Sequence, residues 1–366
     1  MTMARSEQVS VESTPFYHCI GRCVRRAFLC GEDRVTGQSF EHRKGWLLER
    51  MKELSSVFAI DICAYAVMSN HFHLVVRLVP ERAARWESDE LLRRVRALFR
   101  PTAAVIGQLG PKARQKELDK WRERLSDLSW FMRCLNESIA RRANREDGCT
   151  GRFWEGRFKS QALLDEGALF TCMSYVDLNP VRAGLATTLE ESDFTSIQER
   201  LVQAAGSNHA VGIDAGHSED SDHDEKREAA AGESKQTLAS TSTSAPTAAL
   251  DLAALAPMEG DAHRDLPGDS ALPLPIALND YVALLREVGS AVRSDGKTGV
   301  LARSAQLTLS RLGLDPETFV REVARFETSF FAMVGSCECL HREKERLSRK
   351  QVKGIRAAER LYRTAA

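Results

Sequence analysis

The chain has 366 residues, more than one ordinary hydrophobic core, which predicts two domains or one domain with long appendages. Hydrophobic residues make up 43% and charged residues 28%, which excludes a wholly disordered or collagen-like chain. The 51 Lys and Arg balance the 51 Asp and Glu, but unevenly: residues 1–200 hold 31 basic and 27 acidic side chains, residues 201–270 hold 4 and 13, and residues 271–366 hold 16 and 11. Net neutrality therefore does not exclude a nucleic-acid partner, because such partners bind local basic patches.

The sequence predicts neither membrane insertion nor export. It contains no run of 18 apolar residues, and residues 1–13 lack an apolar signal-peptide core. The nine cysteines show no C-x-x-C pairing of the kind that binds structural zinc. These features predict a cytoplasmic protein with reduced thiols, associated with the nucleoid if it binds DNA.

Residues 14–190 predict an α+β fold in the order strand, helix, strand, strand, helix, strand, helix. The strands are aromatic or apolar runs, and the helices show apolar residues at helical spacing. The first six elements match the split β-α-β, ferredoxin-like pattern, a four-stranded antiparallel sheet with helices on one face. In chain order the segments are 14–23, 42–54, 58–67, 71–79, 128–144, 156–164 and 166–178, with a charged helical insertion at 87–125.

Composition divides the chain into three parts. Residues 1–200 form the first predicted domain. Residues 201–270 are acidic and rich in Ala and Ser, and they bury too little apolar surface to offset chain entropy, so they predict a disordered linker. Residues 271–366 regain apolar periodicity and predict a helical C-terminal region. Its helices are expected at 281–292, 305–312, 316–334 and 343–363.

His71 and His73 flank Phe72 in the fourth predicted element. Side chains alternate between the faces of a strand, so both imidazoles share one face and Phe72 lies on the opposite, buried face. Two neutral imidazoles on adjacent positions of one face can chelate a divalent ion. The alternative, a pair of strand histidines that bind nothing, stays open on this motif alone. His18 and His42 belong to no such group.

Tyr175 and Asn179 are four residues apart in the segment YVDLNPVRAG. A helix would place the phenol and the amide on one face. A tyrosine can act as a covalent nucleophile, and an amide oxygen can serve as a weak third metal ligand. A core tyrosine followed by an ordinary Asn-Pro helix end explains the same residues.

A third segment, 141–159, interleaves cations with aromatic residues. Guanidinium and ammonium groups bind phosphates while rings stack on bases, so the pattern suits single-stranded nucleic acid. A solvated helix end followed by core aromatics is an equally good explanation. The cations are Arg141, Arg142, Arg145, Arg152, Arg157 and Lys159.

Together these signals resemble the REP-associated tyrosine transposases, a branch of the HUH superfamily of single-tyrosine DNA transposases and relaxases. The resemblance covers roughly residues 14–190 and rests on FYHCIGR, AYAVMSNHFHLVV, GRFWEGRFKS and YVDLNPVRAGL, in that order. Two features depart from the family. The charged insertion at 81–127 is longer than the family needs, and the residues after about 205 have no counterpart in its short members.

The resemblance implies that His71 and His73 hold Mg²⁺ or Mn²⁺, with Asn179 as third ligand. It also implies that Tyr175 attacks a phosphate of single-stranded or hairpin DNA and forms a 5′-phosphotyrosine intermediate. The expected activity is a transposase-like cleavage and rejoining of DNA at hairpin or palindromic repeats, as in DNA transposition and recombination. Two other classes remain, a catalytically silent DNA-binding regulator of the same fold and a less favoured RRM-like RNA-binding module. A homo-oligomer stays open.

Overall fold

The computed structural model of the protein describes residues 9–24, 29–32, 37–213, 255–260, 273–293 and 301–362. It shows an α+β fold built around one mostly antiparallel sheet. The strands are β1 (Phe16–Arg22), β2 (Ile60–Val67), β3 (His71–Leu78), β4 (Lys159–Leu163), β5 (Met258–Glu259), β6 (Leu274–Ala277) and β7 (Met333–Val334). The helices are α1 (His42–Val57), α2 (Pro80–Ala84), α3 (Ser88–Leu98), α4 (Arg100–Gln108), α5 (Pro111–Arg124), α6 (Leu128–Glu146), α7 (Glu166–Asp177), α8 (Asn179–Arg182), α9 (Ser196–Ile213), α10 (Leu278–Arg293), α11 (Arg303–Arg311), α12 (Pro316–Ala324), α13 (Phe326–Ser329), α14 (Cys337–Arg346) and α15 (Ile355–Leu361).

The first four strands follow a split β-α-β order. β3 lies between β1 and β2 and pairs antiparallel with both, so β1 and β2 are parallel strands connected through α1. β4 pairs antiparallel with the other side of β1. The predicted α+β class is therefore confirmed, and the chain reaches the sheet in the predicted order of strands.

The sheet has five strands, so the prediction of four is wrong. β7, from the C-terminal region, pairs in parallel with the outer edge of β4. The backbone N–H groups of Ala162 and Leu164 donate to the carbonyls of Ala332 and Val334 at 2.9 and 2.8 Å. An edge strand leaves such donors unpaired, and β7 satisfies them.

Helices cover both faces of this sheet: α1 and α6, the two helices of the six-element pattern, lie on one face, and α7 lies on the other. Phe72 and Leu74 of β3 share a hydrophobic core with α1 and α6. Val75, from the opposite face of β3, shares a second core with α7 and the C-terminal helices. Every residue of α7 from Gly167 to Asp177 is buried, and a helix that is buried all round must be covered on more than one side.

The C-terminal helices supply that cover. Phe170 of α7 contacts Tyr281 of α10 and Phe319 of α12, with ring centroids 5.5 and 6.0 Å apart. Two predicted C-terminal helices are shorter than expected. The segment 316–334 forms α12, α13 and β7, and the segment 343–363 is divided between α14 and α15. Ser348 and Gly354 lie between these last two helices with positive φ values of 49° and 105°, which end a right-handed helix.

The predicted linker is ordered at several points. α9 continues to Ile213, and the N–H of Ala256 donates to the carbonyl of Ile62 in β2 at 2.8 Å. β5 pairs with β6 in a small parallel sheet. Residues 214–254 and 261–272 lie outside the described residues, and disorder there stays a prediction. No helix within the described ranges is long and apolar enough to cross a membrane.

The charged insertion folds into the four helices α2 to α5. Trp121 of α5 contacts Phe99 and Trp130, with ring centroids 5.0 and 5.8 Å apart. The guanidinium of Arg124 lies over the rings of both tryptophans. These rings form a small aromatic core that joins the core on the α1 and α6 face, and most charged side chains of the insertion lie around it at the surface.

A buried carboxylate, Asp177, connects three distant segments. Its oxygens accept hydrogen bonds from the hydroxyl of Ser196, the N–H of Ile197 at 3.0 Å and the hydroxyl of Tyr281 at 2.7 Å. Burial raises the pKa of Asp177 to about 6, although these hydrogen bonds and the nearby Arg200 act in the opposite direction. α7, the start of α9 and α10 thus meet at one polar point within an apolar core.

We predict that Phe319→Ala lowers the stability of the whole chain and not of its C-terminal part alone. Phe319 is fully buried against α7, and removing a buried phenyl ring costs about 3–5 kcal/mol. All five tryptophans lie between Trp46 and Trp154, so denaturant unfolding followed by tryptophan fluorescence reports on the N-terminal part of the chain.

The matched control is Phe331→Ala, because Phe331 is 47% exposed and its loss should change the free energy of unfolding by less than about 0.5 kcal/mol. If Phe319→Ala left the tryptophan transition where it is in the wild type, the C-terminal region would be an independent domain.

Candidate active site

β3 presents the histidine pair on the sheet face that packs against α7. His71 and His73 alternate with Phe72, whose ring packs into the opposite core against Trp154 at 5.6 Å. The rings of His71 and His73 are perpendicular, with centroids 4.9 Å apart. His73 is fully buried and His71 partly buried. The predicted alternation of faces is therefore present, and both imidazoles face the same volume.

α7 brings Tyr175 to this pair. The phenol ring lies 5.4 Å from the ring of His73, edge-on. Arg182 of α8 places its guanidinium 4.5 Å from the centre of the Tyr175 ring and donates to the carbonyl of Ala324 at 2.8 Å. Tyr175 is only 2% exposed. The structure thus unites the two motifs that the sequence singled out, and it adds a cation that the sequence analysis did not assign.

His18 also belongs to this site, which corrects its interpretation as an isolated histidine. Its Nε2 lies 2.9 Å from Nδ1 of His73, and the two rings stack with centroids 5.2 Å apart. Its Nδ1 lies 2.6 Å from Oε1 of Gln161 in β4. The sequence placed His18 in a predicted strand. Only the register of β1 with β3 shows that this histidine lies beside His73.

The C-terminal region closes the site from the other side. The ring of Phe326 stacks on that of Tyr175, with centroids 5.0 Å apart and an interplanar angle of 23°. The neighbouring Glu327 places Oε1 4.0 Å from Nε2 of His73. Both residues lie on α13, more than 150 positions along the chain from Tyr175, and no sequence pattern linked them to it.

Burial controls the charge state of the histidines. Burial lowers the pKa of His18 to about 4, and burial lowers the pKa of His71 as well. The pKa of His73 lies well below its usual range, because the ring is buried and because cationic forms of His18 and His71 and the charge of Arg182 would repel a second positive charge. All three imidazoles are therefore neutral at neutral pH, which is the form that binds metal ions.

The phenol of Tyr175 is held in its protonated form. Burial raises its pKa, the carboxylate of Glu327 raises it further, and the guanidinium of Arg182 lowers it. A phenolate at this position would be stabilised by exposure to water or by more positive charge nearby. The arrangement with Phe326 and Glu327 in place therefore keeps Tyr175 both covered and protonated.

The donors for a divalent cation are the two imidazoles. Nε2 of His73 is buried and has no hydrogen-bond partner, and His71 lies beside it. Within the described ranges, no group of three or more His, Cys, Asp and Glu side chains is arranged as a metal site. Asn179 follows Tyr175 by one helical turn with its Nδ2 buried and unpartnered, and no described hydrogen bond connects it to either histidine. The pair fits two ligand positions, and the third is not preformed.

The predicted DNA-binding cations are exposed and lie on connected segments. Ile20 pairs in register with both His73 and Lys159, so Lys159 shares a face with the histidine pair. The side-chain amide of Asn144 donates to the carbonyl of Gly151 at 3.1 Å, which ties the end of α6 to the segment that follows it. The exposed cations on these segments are Arg141, Arg142, Arg145, Arg152, Arg157 and Lys159.

Two of these cations have partners on α6 or α1. Arg141 pairs with Glu137, and the guanidinium of Arg142 lies 3.9 Å from the centre of the Trp46 ring. Two of the aromatic residues between the cations are core residues, since Phe153 and Trp154 are buried and Trp154 donates to the carbonyl of Asn136 at 2.8 Å. The rings of Phe153 and Trp154 are therefore not available to stack on bases, whereas Phe158 is only half-buried.

Comparisons with known proteins give one structural similarity. No protein-family model matches the chain, and no curated protein matches it. Among solved structures, the chain is similar to a REP-associated tyrosine transposase bound to a REP hairpin. The similarity covers 52% of this chain and 82% of that chain, at 13% sequence identity and a TM-score of 0.29. Such a score describes a distant and partial likeness, so the function is inferred from the geometry of the site.

We predict that Phe326→Ala makes Tyr175 accessible to solvent in a protein that still folds, although the loss of this fully buried ring lowers its stability by about 3–5 kcal/mol. Phe326 is itself fully buried, so removing its ring leaves a cavity beside the phenol and loosens the cover that α13 provides, which lets solvent and reagent reach Tyr175. Nitration by tetranitromethane, which requires an accessible phenol, should increase several-fold at Tyr175, as measured by mass spectrometry of its peptide. Phe331→Ala removes an exposed ring from the same region and should leave the nitration of Tyr175 at the wild-type level. Equal nitration of Tyr175 in all three proteins would contradict the role given to Phe326.

Proposed function

We propose that the protein is a metal-dependent endonuclease that cleaves and rejoins single-stranded DNA, at hairpin or palindromic repeats, through Tyr175. The observation that carries the proposal is the meeting of Tyr175 with His71 and His73 in one buried volume, with ring centroids of Tyr175 and His73 5.4 Å apart. Nε2 of His73 is buried there without a partner. A purely structural histidine would have its buried nitrogen satisfied, since unsatisfied buried polar groups are rare in folded proteins.

The proposed chemistry is a displacement at phosphorus. The phenol oxygen of Tyr175 loses its proton and bonds to the phosphorus, and the bond from phosphorus to the 3′ oxygen breaks. The 3′ oxygen takes up a proton and leaves as a hydroxyl, while the 5′ phosphate stays on Tyr175. Attack by a 3′-hydroxyl reverses the reaction and rejoins DNA without an external energy source. Mg²⁺ or Mn²⁺ would be held by His71 and His73 and would supply the charge neutralisation that the phosphate needs.

Arg182 and Phe326, which both lie against the Tyr175 ring, have defined parts in this scheme. Arg182 lies against the Tyr175 ring, where its positive charge stabilises a phenolate. Phe326 stacks on the other side of Tyr175, and a DNA phosphate reaches the phenol oxygen only after Phe326 has moved away. Binding of DNA and displacement of α13 are therefore coupled in this proposal.

The third cation ligand has two candidates. Asn179 lies one helical turn from Tyr175 and offers a neutral amide oxygen, as the sequence suggests. Glu327 offers a carboxylate with Oε1 4.0 Å from Nε2 of His73, slightly less than two ligand bonds of about 2.1 Å each. The carboxylate is the stronger ligand for a hard cation, and Asn179 is the candidate that remains when α13 moves.

The DNA would approach along the cationic segments. Arg145, Arg152, Arg157 and Lys159 form no salt bridge to another described residue, so their charges are available to phosphates. Lys159 is on the same face as His73 and marks the side of the sheet from which a strand reaches the site. Phosphate contacts of this kind position a strand without selecting its sequence.

A specific observation favours the second candidate function, a catalytically silent DNA-binding regulator. Tyr175 is covered by Phe326 and is only 2% exposed, as expected for a site that does not turn over. A regulator of this kind would bind hairpin DNA through the same cations and form no covalent adduct. Trapping of the adduct separates the two functions.

We predict that Tyr175→Phe abolishes a covalent protein–DNA adduct while hairpin binding changes little, because only the phenol oxygen is lost. The measurement is a denaturing gel of end-labelled hairpin DNA incubated with the full chain and Mn²⁺. Tyr362→Phe is the control, since this hydroxyl bonds to Asp165 away from the histidine pair and its loss should leave the adduct intact. An adduct that persists in Tyr175→Phe would remove Tyr175 from the reaction.

We predict that His71→Ala and His73→Ala each weaken Mn²⁺ binding by more than about 100-fold, since loss of an outer-shell partner already costs about 10- to 100-fold. Electron paramagnetic resonance of free Mn²⁺ measures the affinity in the absence of DNA. His42→Ala is the control, because His42 pairs with Glu146 on the α1 and α6 side. Asn179→Ala and Glu327→Gln identify the third ligand, because the variant of the true ligand shows the larger loss of Mn²⁺ affinity. Mn²⁺ affinity unaffected by both histidine changes would make the pair structural.

A further inference from the structure

We infer that Gln161 and His18 are positioning residues that fix the tautomer of His73, so that its Nε2 faces the site as an unprotonated nitrogen. The catalytic meaning of this inference rests on the proposed function, but the tautomer itself does not. A chain of hydrogen bonds, here called the relay, begins at the backbone carbonyl of Phe330 and passes through Gln161 and His18 to His73. Each step follows from which atoms can donate and which can only accept.

The carbonyl of Phe330 sets the orientation of Gln161. Nε2 of Gln161 lies 3.3 Å from the oxygen of Phe330. A carbonyl oxygen only accepts hydrogen bonds, so the amide nitrogen of Gln161 must be on this side. The amide oxygen is then on the other side, where Oε1 lies 2.6 Å from Nδ1 of His18.

Gln161 in turn sets the tautomer of His18. An amide oxygen only accepts, so Nδ1 of His18 carries a proton and donates it to Gln161. His18 is fully buried, and a second proton on its ring would create a buried charge with no hydrogen-bonded carboxylate. Nε2 of His18 is therefore an acceptor.

His18 then sets the tautomer of His73. Nε2 of His18 lies 2.9 Å from Nδ1 of His73, so Nδ1 of His73 donates this bond. The opposite tautomer of His73 would bring two lone pairs together at 2.9 Å and leave an N–H at Nε2 buried without a partner. Oε1 of Glu327, at 4.0 Å, is too far from Nε2 to accept a hydrogen bond.

His71 has the same tautomer by a shorter route. Its Nδ1 lies 2.6 Å from Oδ1 of Asn70, and this oxygen accepts its proton. Both histidines of the pair thus present Nε2 without a proton on the face shared with Tyr175. Partners that hold a ligand ring in one tautomer raise its basicity and remove the cost of rearrangement on metal binding. The C-terminal region takes part, because Phe330 lies between α13 and β7.

The test is the tautomer of His73 in the full chain, without metal or DNA. Nitrogen-15 shifts of labelled histidine distinguish the protonated from the unprotonated ring nitrogen, and the His73 signals are assigned by their loss in His73→Ala. The expected result for the wild type is a proton on Nδ1 of His73 and none on Nε2. A proton on Nε2 in the wild type would overturn the inference outright.

Variants of Gln161 test the relay. Gln161→Met removes the acceptor for His18, and the His73 tautomer should become mixed while Mn²⁺ affinity falls about 10- to 100-fold. Gln161→Glu, as a protonated carboxyl in this buried position, retains an oxygen facing His18 and a donor facing the carbonyl of Phe330, and it should restore the wild-type tautomer. Gln115→Met changes an exposed glutamine of α5 and should alter neither readout.

The outcomes separate this inference from the proposed function. An unchanged tautomer and unchanged Mn²⁺ affinity in Gln161→Met would assign His18 and Gln161 to packing alone. If Gln161→Met does not fold, the wild-type tautomer and the Gln161→Glu result decide. If no DNA adduct forms in any variant while the tautomers behave as expected, the relay stands and the endonuclease proposal fails.

Discussion

The buried carboxylate of Asp177 is the constraint on which the site depends. It accepts hydrogen bonds from Ser196, Ile197 and Tyr281, which belong to α9 and α10. A buried carboxylate that lacks its donors costs several kcal/mol, so these contacts must form together. They fix the rotation of α7 about its axis, and Tyr175 is two residues before Asp177. The direction in which the phenol points is therefore set by a polar contact that has no part in the chemistry.

The sequence predicted those features of the site that depend on local spacing. Alternation along a strand placed His71 and His73 on one face, and helical spacing placed Tyr175 on a helix after the last strand of the first domain. The partners of these residues lie on other segments. His18 and Gln161 meet only through the register of β1 with β3 and β4, and a register is set by the pairing of whole strands. The spacing of residues in a single sequence does not predict which strands pair or in which register.

The position of the C-terminal region could not be read from its own periodicity. Its apolar spacing predicts helices, but a strand of two residues such as β7 is too short to show a period, and α13 is a single turn. The sequence held one relevant signal elsewhere. The segment 166–178 is apolar on all sides, with Leu169, Phe170, Cys172 and Leu178 spread around the helix, and such a helix needs cover on each side. That pattern indicates that other segments cover α7 on each side, and in the structure the C-terminal helices α10 and α12 contribute to this cover.

The pairing of β4 with β7 has a consequence for how the chain folds. The two strands are separated by about 170 residues, so the last sheet contact and the cover of α7 are among the most non-local contacts of the fold. At a synthesis rate of about 5–20 residues per second, the ribosome needs roughly 10 to 30 s to pass from β4 to β7. During that interval the nascent sheet keeps an open edge and α7 an uncovered apolar surface. We expect this protein to depend on chaperones during its synthesis, and to aggregate when translation stops within the segment between β4 and β7.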